Sequence, residues 1–137
     1  MLGSVKGMLD DGHKVVLMTR GNSMLPFIVG DRDSVELEKR PSYSCGDIVL
    51  AYTSDGRWVL HRVDSKLDGG FVLRGDGNLR GTERCQDVDV AGAVCRIITP
   101  RKEIDCSADG FAKRSRFWKK QPYAVRRVIL GIIRRII

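Results

Sequence analysis

The sequence is poor in the side chains that bind transition metals. It has two histidines and four cysteines in 137 residues, and the cysteines, at positions 45, 85, 95 and 106, show neither zinc-ligand nor CxxC spacing. This distribution predicts no metal and no cofactor. It also favours free thiols in a reducing compartment over a disulfide framework.

Long apolar runs and an export signal are missing too. No basic segment followed by a long apolar stretch opens the chain. The longest apolar run falls well short of the ~20 residues that a membrane-spanning helix requires. We therefore expect a cytoplasmic protein with no signal peptide and no transmembrane helix.

Positive charge is concentrated in the last quarter of the chain. Residues 1–100 contain 13 Lys/Arg and 14 Asp/Glu, a net charge of −1, whereas residues 101–137 contain 11 Lys/Arg and 3 Asp/Glu, a net charge of +8. A near-neutral body argues against a nucleic-acid-binding core. Aromatic residues among the tail's cations permit base stacking, but the tail's apolar pattern fits a lipid surface better, so we expect no nucleic-acid partner.

Short apolar or alternating segments fill the chain from residue 14 to about residue 98. There are six of them: KVVLMT (14–19), SVELE (34–38), DIVLAYT (47–53), RWVLHRV (57–63), GFVLRG (70–75) and VAGAVCRII (90–98). Turn signals such as Ser54-Asp55-Gly56 separate them. Strands this short and this frequent predict a mainly β fold, either a coiled antiparallel sheet or a partly open barrel.

Helical patterns flank this β region. Leu2, Val5, Met8 and Leu9 share one face of a short N-terminal helix that Asp10-Asp11-Gly12 ends. Pro100 and the charged residues after it mark a boundary. We thus expect a β domain over residues 1–100 and a basic amphipathic helical tail over 101–137.

The segment TRGNSMLPFIVGD (19–31) holds one serine, Ser23, between a polar turn and an apolar run that Pro26 interrupts. Proline is unsuited to a central strand or a helix interior, so the segment is a specialised loop. A serine hydroxyl becomes a useful nucleophile when a base takes its proton. His61 is the candidate, since His13 follows a helix end and strand alternation places His61 on one face with Val59 and Val63.

Four motifs in order carry a family resemblance. GNSMLP, GDIVL, VLHRV and RGDGN resemble the boxes of the type I signal peptidase and LexA-like superfamily of serine peptidases, over roughly residues 14–98. The resemblance implies a signal-peptidase type of fold with Ser23 as the nucleophile. It also implies that His61 replaces the general-base lysine of bacterial signal peptidases, as in the endoplasmic-reticulum, archaeal and sporulation-type branch.

The acidic member of the site has two candidates. Asp76 lies in the acidic position of the box that is similar to the family's Gly-Asp-Asn box, and we expect it to orient His61. Glu83 is the alternative, because family members have another functional acid several residues further on. Gly21 and Asn22 stand where the family has a serine and a small residue, so we expect the oxyanion to rely on backbone N–H groups.

The resemblance implies a substrate as well as a reaction. We expect an endopeptidase that cleaves a leader, signal or propeptide by acyl transfer. An extended peptide would pair as an added strand, and Met24, Leu25 and Phe27 would form an apolar ledge beside the nucleophile. Two alternatives remain, a self-cleaving repressor-type peptidase and a noncatalytic peptide-binding or scaffold module. The first is disfavoured, because the sequence shows neither the catalytic lysine nor a preceding helix-turn-helix.

The tail has an apolar stripe that the resemblance does not explain. Six residues recur at helical spacing on one face, namely Val125, Val128, Ile129, Ile132, Ile133 and Ile136. Arg126 and Arg135 flank this stripe, where their stems can extend toward a lipid surface. The stripe predicts either packing on the protein body or a second copy, or binding of residues 111–137 to an anionic membrane.

Overall fold

A computed structural model describes residues 2–137 and has a mainly β architecture with helices at both ends of the chain. Helix α1 (Leu2–Asp10) precedes eight strands: β1 (Val15–Met18), β2 (Ser34–Glu38), β3 (Ile48–Tyr52), β4 (Trp58–Leu67), β5 (Gly70–Arg74), β6 (Glu83–Gln86), β7 (Val90–Ile98) and β8 (Glu103–Asp105). A single helical turn (Asp87–Asp89) separates β6 from β7. Helices α2 (Asp109–Lys120) and α3 (Tyr123–Ile136) follow.

The strands form one antiparallel half-barrel. Their order is β1-β2-β7-β3-β4-β5-β6, and β8 pairs with β7 beside this path. Register shifts interrupt the β2–β7, β3–β7 and β4–β5 ladders. Such irregularities increase the local twist and bend a strand, so the sheet curves rather than lying flat. The predicted fold class is confirmed.

Apolar side chains fill both faces of the curved sheet. On one face, Val5 and Leu9 of α1 pack with the fully buried Leu37 and Ile97. On the other, the core includes Val49, Val63, Phe71 and Leu73 of three successive strands. The N-terminal helix ends as predicted, because Gly12 has a φ of +91°, which glycine adopts more readily than other residues. The apolar face of α1, with Val5 and Leu9, therefore lies against the sheet.

The C-terminal helices pack on the body. Trp118 of α2 and Leu130 of α3 form a third buried cluster with Leu25 and Val29, and Ile129 and Ile133 pack against it. Val125, Val128, Ile132 and Ile136, the other members of the predicted stripe, remain exposed. None of the helices within residues 2–137 has both the length and the apolar character needed to cross a membrane. The stripe is thus divided between the body and solvent.

Candidate active site

The loop that holds Ser23 is closed by backbone hydrogen bonds at its base. The Thr19 N–H donates to the Asp33 carbonyl (3.0 Å) and the Asp31 N–H donates to the Thr19 carbonyl (2.8 Å). Gly30 lies so close to Gly21 that a Cβ at position 30 would overlap the Gly21 backbone. The close approach of the two backbone segments therefore requires glycine at position 30, a requirement that an ordinary hairpin does not have.

A buried carboxylate supports the same loop. Asp33 is fully buried, and its Oδ2 accepts the Val29 N–H at 2.8 Å. Arg32 donates to both Asp33 oxygens, at 2.8 and 3.1 Å. A buried charge is tolerated when it is paired and hydrogen-bonded, so Asp33 fixes the return of the chain toward β2. Gly21 and Asn22 stay exposed at the tip, while Ser23 is half-buried.

The segment Gly75–Asn78 lies directly against Ser23. The Gly77 N–H donates to the Ser23 carbonyl at 2.8 Å, and a Cβ on Gly77 would come within 2.6 Å of the Asn22 carbonyl oxygen. A Cβ on Gly75 would overlap the Ser23 carbonyl oxygen and lie 3.2 Å from His61 Nε2. Gly75 is therefore the position at which the serine loop and the histidine ring meet, and a side chain there would separate them.

His61 is held by Glu83. Both residues are buried, with 5% and 8% of their surfaces exposed, and His61 Nδ1 is hydrogen-bonded to Glu83 Oε1. Arg57 reaches Glu83 Oε2 at 3.5 Å, so the carboxylate is also paired with a cation. Since Nδ1 is occupied, Nε2 is the ring nitrogen that faces Gly75. Among residues 2–137 the Ser23 hydroxyl forms no hydrogen bond with this nitrogen; such contacts often tighten only in the complex with substrate.

Asp76 is engaged elsewhere, so its predicted contact with His61 is not formed. Arg62 Nε donates to both carboxylate oxygens of Asp76, at 2.9 and 3.1 Å, and Arg62 Nη2 donates to Oδ2 at 2.6 Å. Arg62 follows His61 on β4, and successive side chains of a strand point to opposite faces. An acid that pairs with Arg62 is thus on the wrong face for His61. The alternative acid, Glu83, makes the contact that was expected of Asp76.

The predicted substrate ledge is wrong for two of its three residues. Met24 and Leu25 are buried, Met24 in the main core and Leu25 in the cluster under α2 and α3. Phe27 is half-buried and packs edge-on against Phe111, with ring centroids 5.7 Å apart. The C-terminal helices cover this apolar run, and so it cannot form an open surface for a peptide.

Strand β1 leads into the serine loop and is the first strand in the sheet order. Within residues 2–137, one of its edges therefore pairs with no other strand. It pairs with β2 alone, and its outward side chains, Val16 and Met18, are exposed. A separate groove of about 810 Å³ lies beside the 75–78 segment. Gly75, Asp76 and Trp118 line this groove, but Ser23 and His61 do not. The free strand edge is therefore the surface that connects most directly to Ser23.

Cysteine chemistry does not fit this site. Burial raises the pKa of Cys85, the nearest thiol along β6, to about 11, and it raises the pKa of Cys106 to about 12. The thiolate is the reactive form of cysteine, so these two thiols carry little of it near neutral pH. Within residues 2–137 no group of three or more His, Cys, Asp or Glu side chains could hold a metal ion.

The arrangement provides the half-buried residue Ser23, an imidazole whose Nε2 lies across Gly75 from the Ser23 carbonyl, and a buried carboxylate on the other ring nitrogen. These are the three functional groups of an acyl-transfer site. Neither protein-family models nor curated proteins include a match to this chain.

Proposed function

We propose that the protein is a serine endopeptidase in which Ser23 is the nucleophile, His61 the general base and Glu83 the residue that orients the base. The observation that carries this proposal is the buried His61–Glu83 pair, whose free Nε2 faces the backbone of Ser23 across Gly75. Burial of an ionisable pair is costly unless the pair is well satisfied. A base that is oriented in this way and lies close to a serine is what nucleophilic catalysis requires.

The reaction divides into two acyl-transfer steps. Ser23 Oγ attacks the scissile carbonyl while its proton passes to His61 Nε2, and Glu83 stabilises the imidazolium through Nδ1. Backbone N–H groups at the serine turn stabilise the oxyanion. The tetrahedral intermediate collapses, the amine leaves with the proton from Nε2, and an ester on Ser23 remains. Water, activated by the neutral imidazole, then hydrolyses the ester and regenerates the hydroxyl.

The free edge of β1 supports an extended peptide as the proposed substrate. An extended peptide can add to this edge through main-chain hydrogen bonds, with alternate side chains toward Val16 and Met18. Because β1 continues into the Ser23 loop, such a peptide would be directed toward the nucleophile. Leader peptides, signal peptides and propeptides present segments of this extended kind.

A degenerate peptide pool tests the proposal. The full chain is incubated with the pool and new termini are identified by mass spectrometry. Ser23→Ala should retain the wild-type circular dichroism spectrum and lose cleavage by several orders of magnitude. Ser44→Ala is the matched control, since Ser44 is exposed and lies outside the site.

Cleavage by Ser23→Ala at the wild-type rate would contradict the proposal. Peptide binding without cleavage by the wild type would favour the noncatalytic module instead.

We also propose that the protein binds anionic membranes peripherally through α3. Val125, Val128, Ile132 and Ile136 recur at intervals of three, four and four residues and leave an exposed apolar face, with Ile136 78% exposed. Arg135, which flanks the apolar stripe, is exposed on the same helix. Each cation near an anionic surface contributes about 1 kcal/mol, and the apolar face adds burial in the interface.

Vesicle flotation tests membrane binding. The full chain should rise with vesicles of phosphatidylcholine and phosphatidylglycerol at low salt, and less at high salt. The double variant Val128→Ser, Ile132→Ser should stay at the bottom. Val88→Ser is the control, because Val88 is an exposed valine far from the tail in sequence. A wild-type chain that stays at the bottom at low salt would overturn this second proposal.

A further inference from the structure

The two C-terminal helices hold consecutive carbonyl groups of the Gly75–Asn78 segment. The indole N–H of Trp118, on α2, donates to the Asp76 carbonyl at 3.0 Å. Arg134 Nη2, on α3, donates to the Gly77 carbonyl at 3.1 Å. Both donors come from the tail, and both acceptors belong to a segment more than 40 residues earlier in the chain.

The same segment contacts the nucleophile loop and the base. The Gly77 N–H donates to the Ser23 carbonyl at 2.8 Å, and Gly75 separates that carbonyl from His61 Nε2. The Asn78 N–H closes the turn onto the Gly75 carbonyl at 3.0 Å. Any shift of this turn would therefore move Ser23 relative to His61.

A turn with two glycines needs outside support to stay in one conformation. Glycine has more backbone freedom than other residues and loses more entropy on ordering. Arg62 fixes the Asp76 side chain, but the carbonyl groups of Asp76 and Gly77 are held by the tail. Direct packing reinforces the contact, since Leu25, two residues after Ser23, is fully buried against Trp118 and Leu130.

We propose that Trp118 and Arg134 are positioning residues, which set the distance between Ser23 and His61 through the 75–78 turn. The proposal rests on the proposed peptidase function for its kinetic consequence. A displacement of about 1 Å at a reacting group can lower the rate about 100-fold. The tail therefore acts on the chemical step without touching the substrate.

Conservative variants at two positions separate positioning from packing. Trp118→Phe keeps an aromatic ring in the buried cluster and removes the N–H donor. Arg134→Gln removes the guanidinium, and Arg134→Lys retains a charged donor. Arg101→Gln is the matched control, because Arg101 is an exposed arginine that lies outside α3 and outside the site.

With a peptide cleaved by the wild type, the Trp118→Phe, Arg134→Gln double variant should lose about 10- to 100-fold in kcat. KM should stay within about twofold, since the β1 edge is unchanged. Arg134→Lys should recover part of the rate, and Arg101→Gln should match the wild type. A double variant with wild-type kcat would overturn the proposal.

A second measurement does not depend on activity. Amide hydrogen exchange at Gly77, followed by NMR on the full chain, reports its bond to the Ser23 carbonyl. Exchange should accelerate at least 10-fold in the double variant and not in Arg101→Gln. Unchanged exchange would overturn the positioning role. Faster exchange in a protein that cleaves no peptide would support the link between the tail and the 75–78 turn. It would then reject only the proposed peptidase function.

Discussion

Two substitutions on helix α3 distinguish a tail that is part of the fold from a tail that only binds other surfaces. Leu130 is 2% exposed and packs on Leu25, Val29 and Trp118, whereas Ile132, two residues later, is 54% exposed. Leu130→Ala should therefore lower the free energy of unfolding substantially. Ile132→Ala should leave it nearly unchanged, although both substitutions remove a large aliphatic side chain from the same helix.

The magnitude follows from burial. Truncating a fully buried leucine to alanine removes its transfer free energy and leaves a cavity, with a total cost of about 2–5 kcal/mol. Leu130 belongs to a small cluster near the end of the chain, where neighbours can partly close the cavity, so we expect about 2–3 kcal/mol. For Ile132 the lost burial is small and alanine favours the helix by a few tenths of a kcal/mol, which leaves a net change within about 0.5 kcal/mol.

Equilibrium unfolding in urea, followed by circular dichroism at 222 nm, measures both values. With a slope of about 1–3 kcal/mol per molar, the midpoint for Leu130→Ala should fall by about 0.7–3 M, while that for Ile132→Ala should stay within about 0.5 M of the wild type. Equal midpoints for the two variants would show that α3 does not pack as described. Vesicle flotation should give the opposite order, because Ile132 belongs to the exposed face.

Three further predictions concern the site and the thiols. Glu83→Gln should lower kcat by about 10²- to 10⁴-fold at a nearly unchanged melting temperature, as expected for a residue that orients a base; a rate near that of the wild type in the peptide assay would remove Glu83 from the mechanism. Gly75→Ala should abolish cleavage, because its Cβ would overlap the Ser23 carbonyl, whereas Gly3→Ala, with open space around it, should be neutral. Equal activity of the two variants would disprove the contact between Gly75 and Ser23. With Ellman's reagent at pH 8, exposed Cys45 should react first, since burial raises the pKa of the other three thiols to about 11 or 12. More than one rapidly reacting thiol in the native protein would contradict this prediction.

The alternation of β4 shows how far the sequence could lead. It predicted one face for Val59, His61 and Val63, and all three side chains are buried together. A strand fixes side-chain direction with a period of two, independently of what surrounds it. The same rule places Arg62 on the opposite face, but the sequence pattern does not reveal which acid each of the two neighbours binds.

The predicted contact between Asp76 and His61 was wrong because β6 is not recognisable from its residues. The four-residue strand Glu83–Gln86 is polar and lacks the apolar run that marked the other strands. Its alternation is real, since Glu83 and Cys85 are buried and their neighbours are exposed, but a buried glutamate gives no hydrophobic signal. Only the pairing of β6 with β5 brings Glu83 to His61. Strand β8, with only three residues, was missed for the same reason, and it lies in the segment 101–137 that was predicted to be helical.

The sequence by itself determined the β class, the strand that carries His61, the specialised loop around Ser23 and the apolar face of the last helix. These features depend on local chemistry: side-chain period, turn residues and proline. Tertiary structure decided which carboxylate meets the imidazole, that Met24 and Leu25 are covered, and that one side of α3 packs on the body while the other faces solvent. An apolar stripe indicates how much helix surface favours burial. It does not indicate which surface will cover the stripe, because the hydrophobic effect is non-directional.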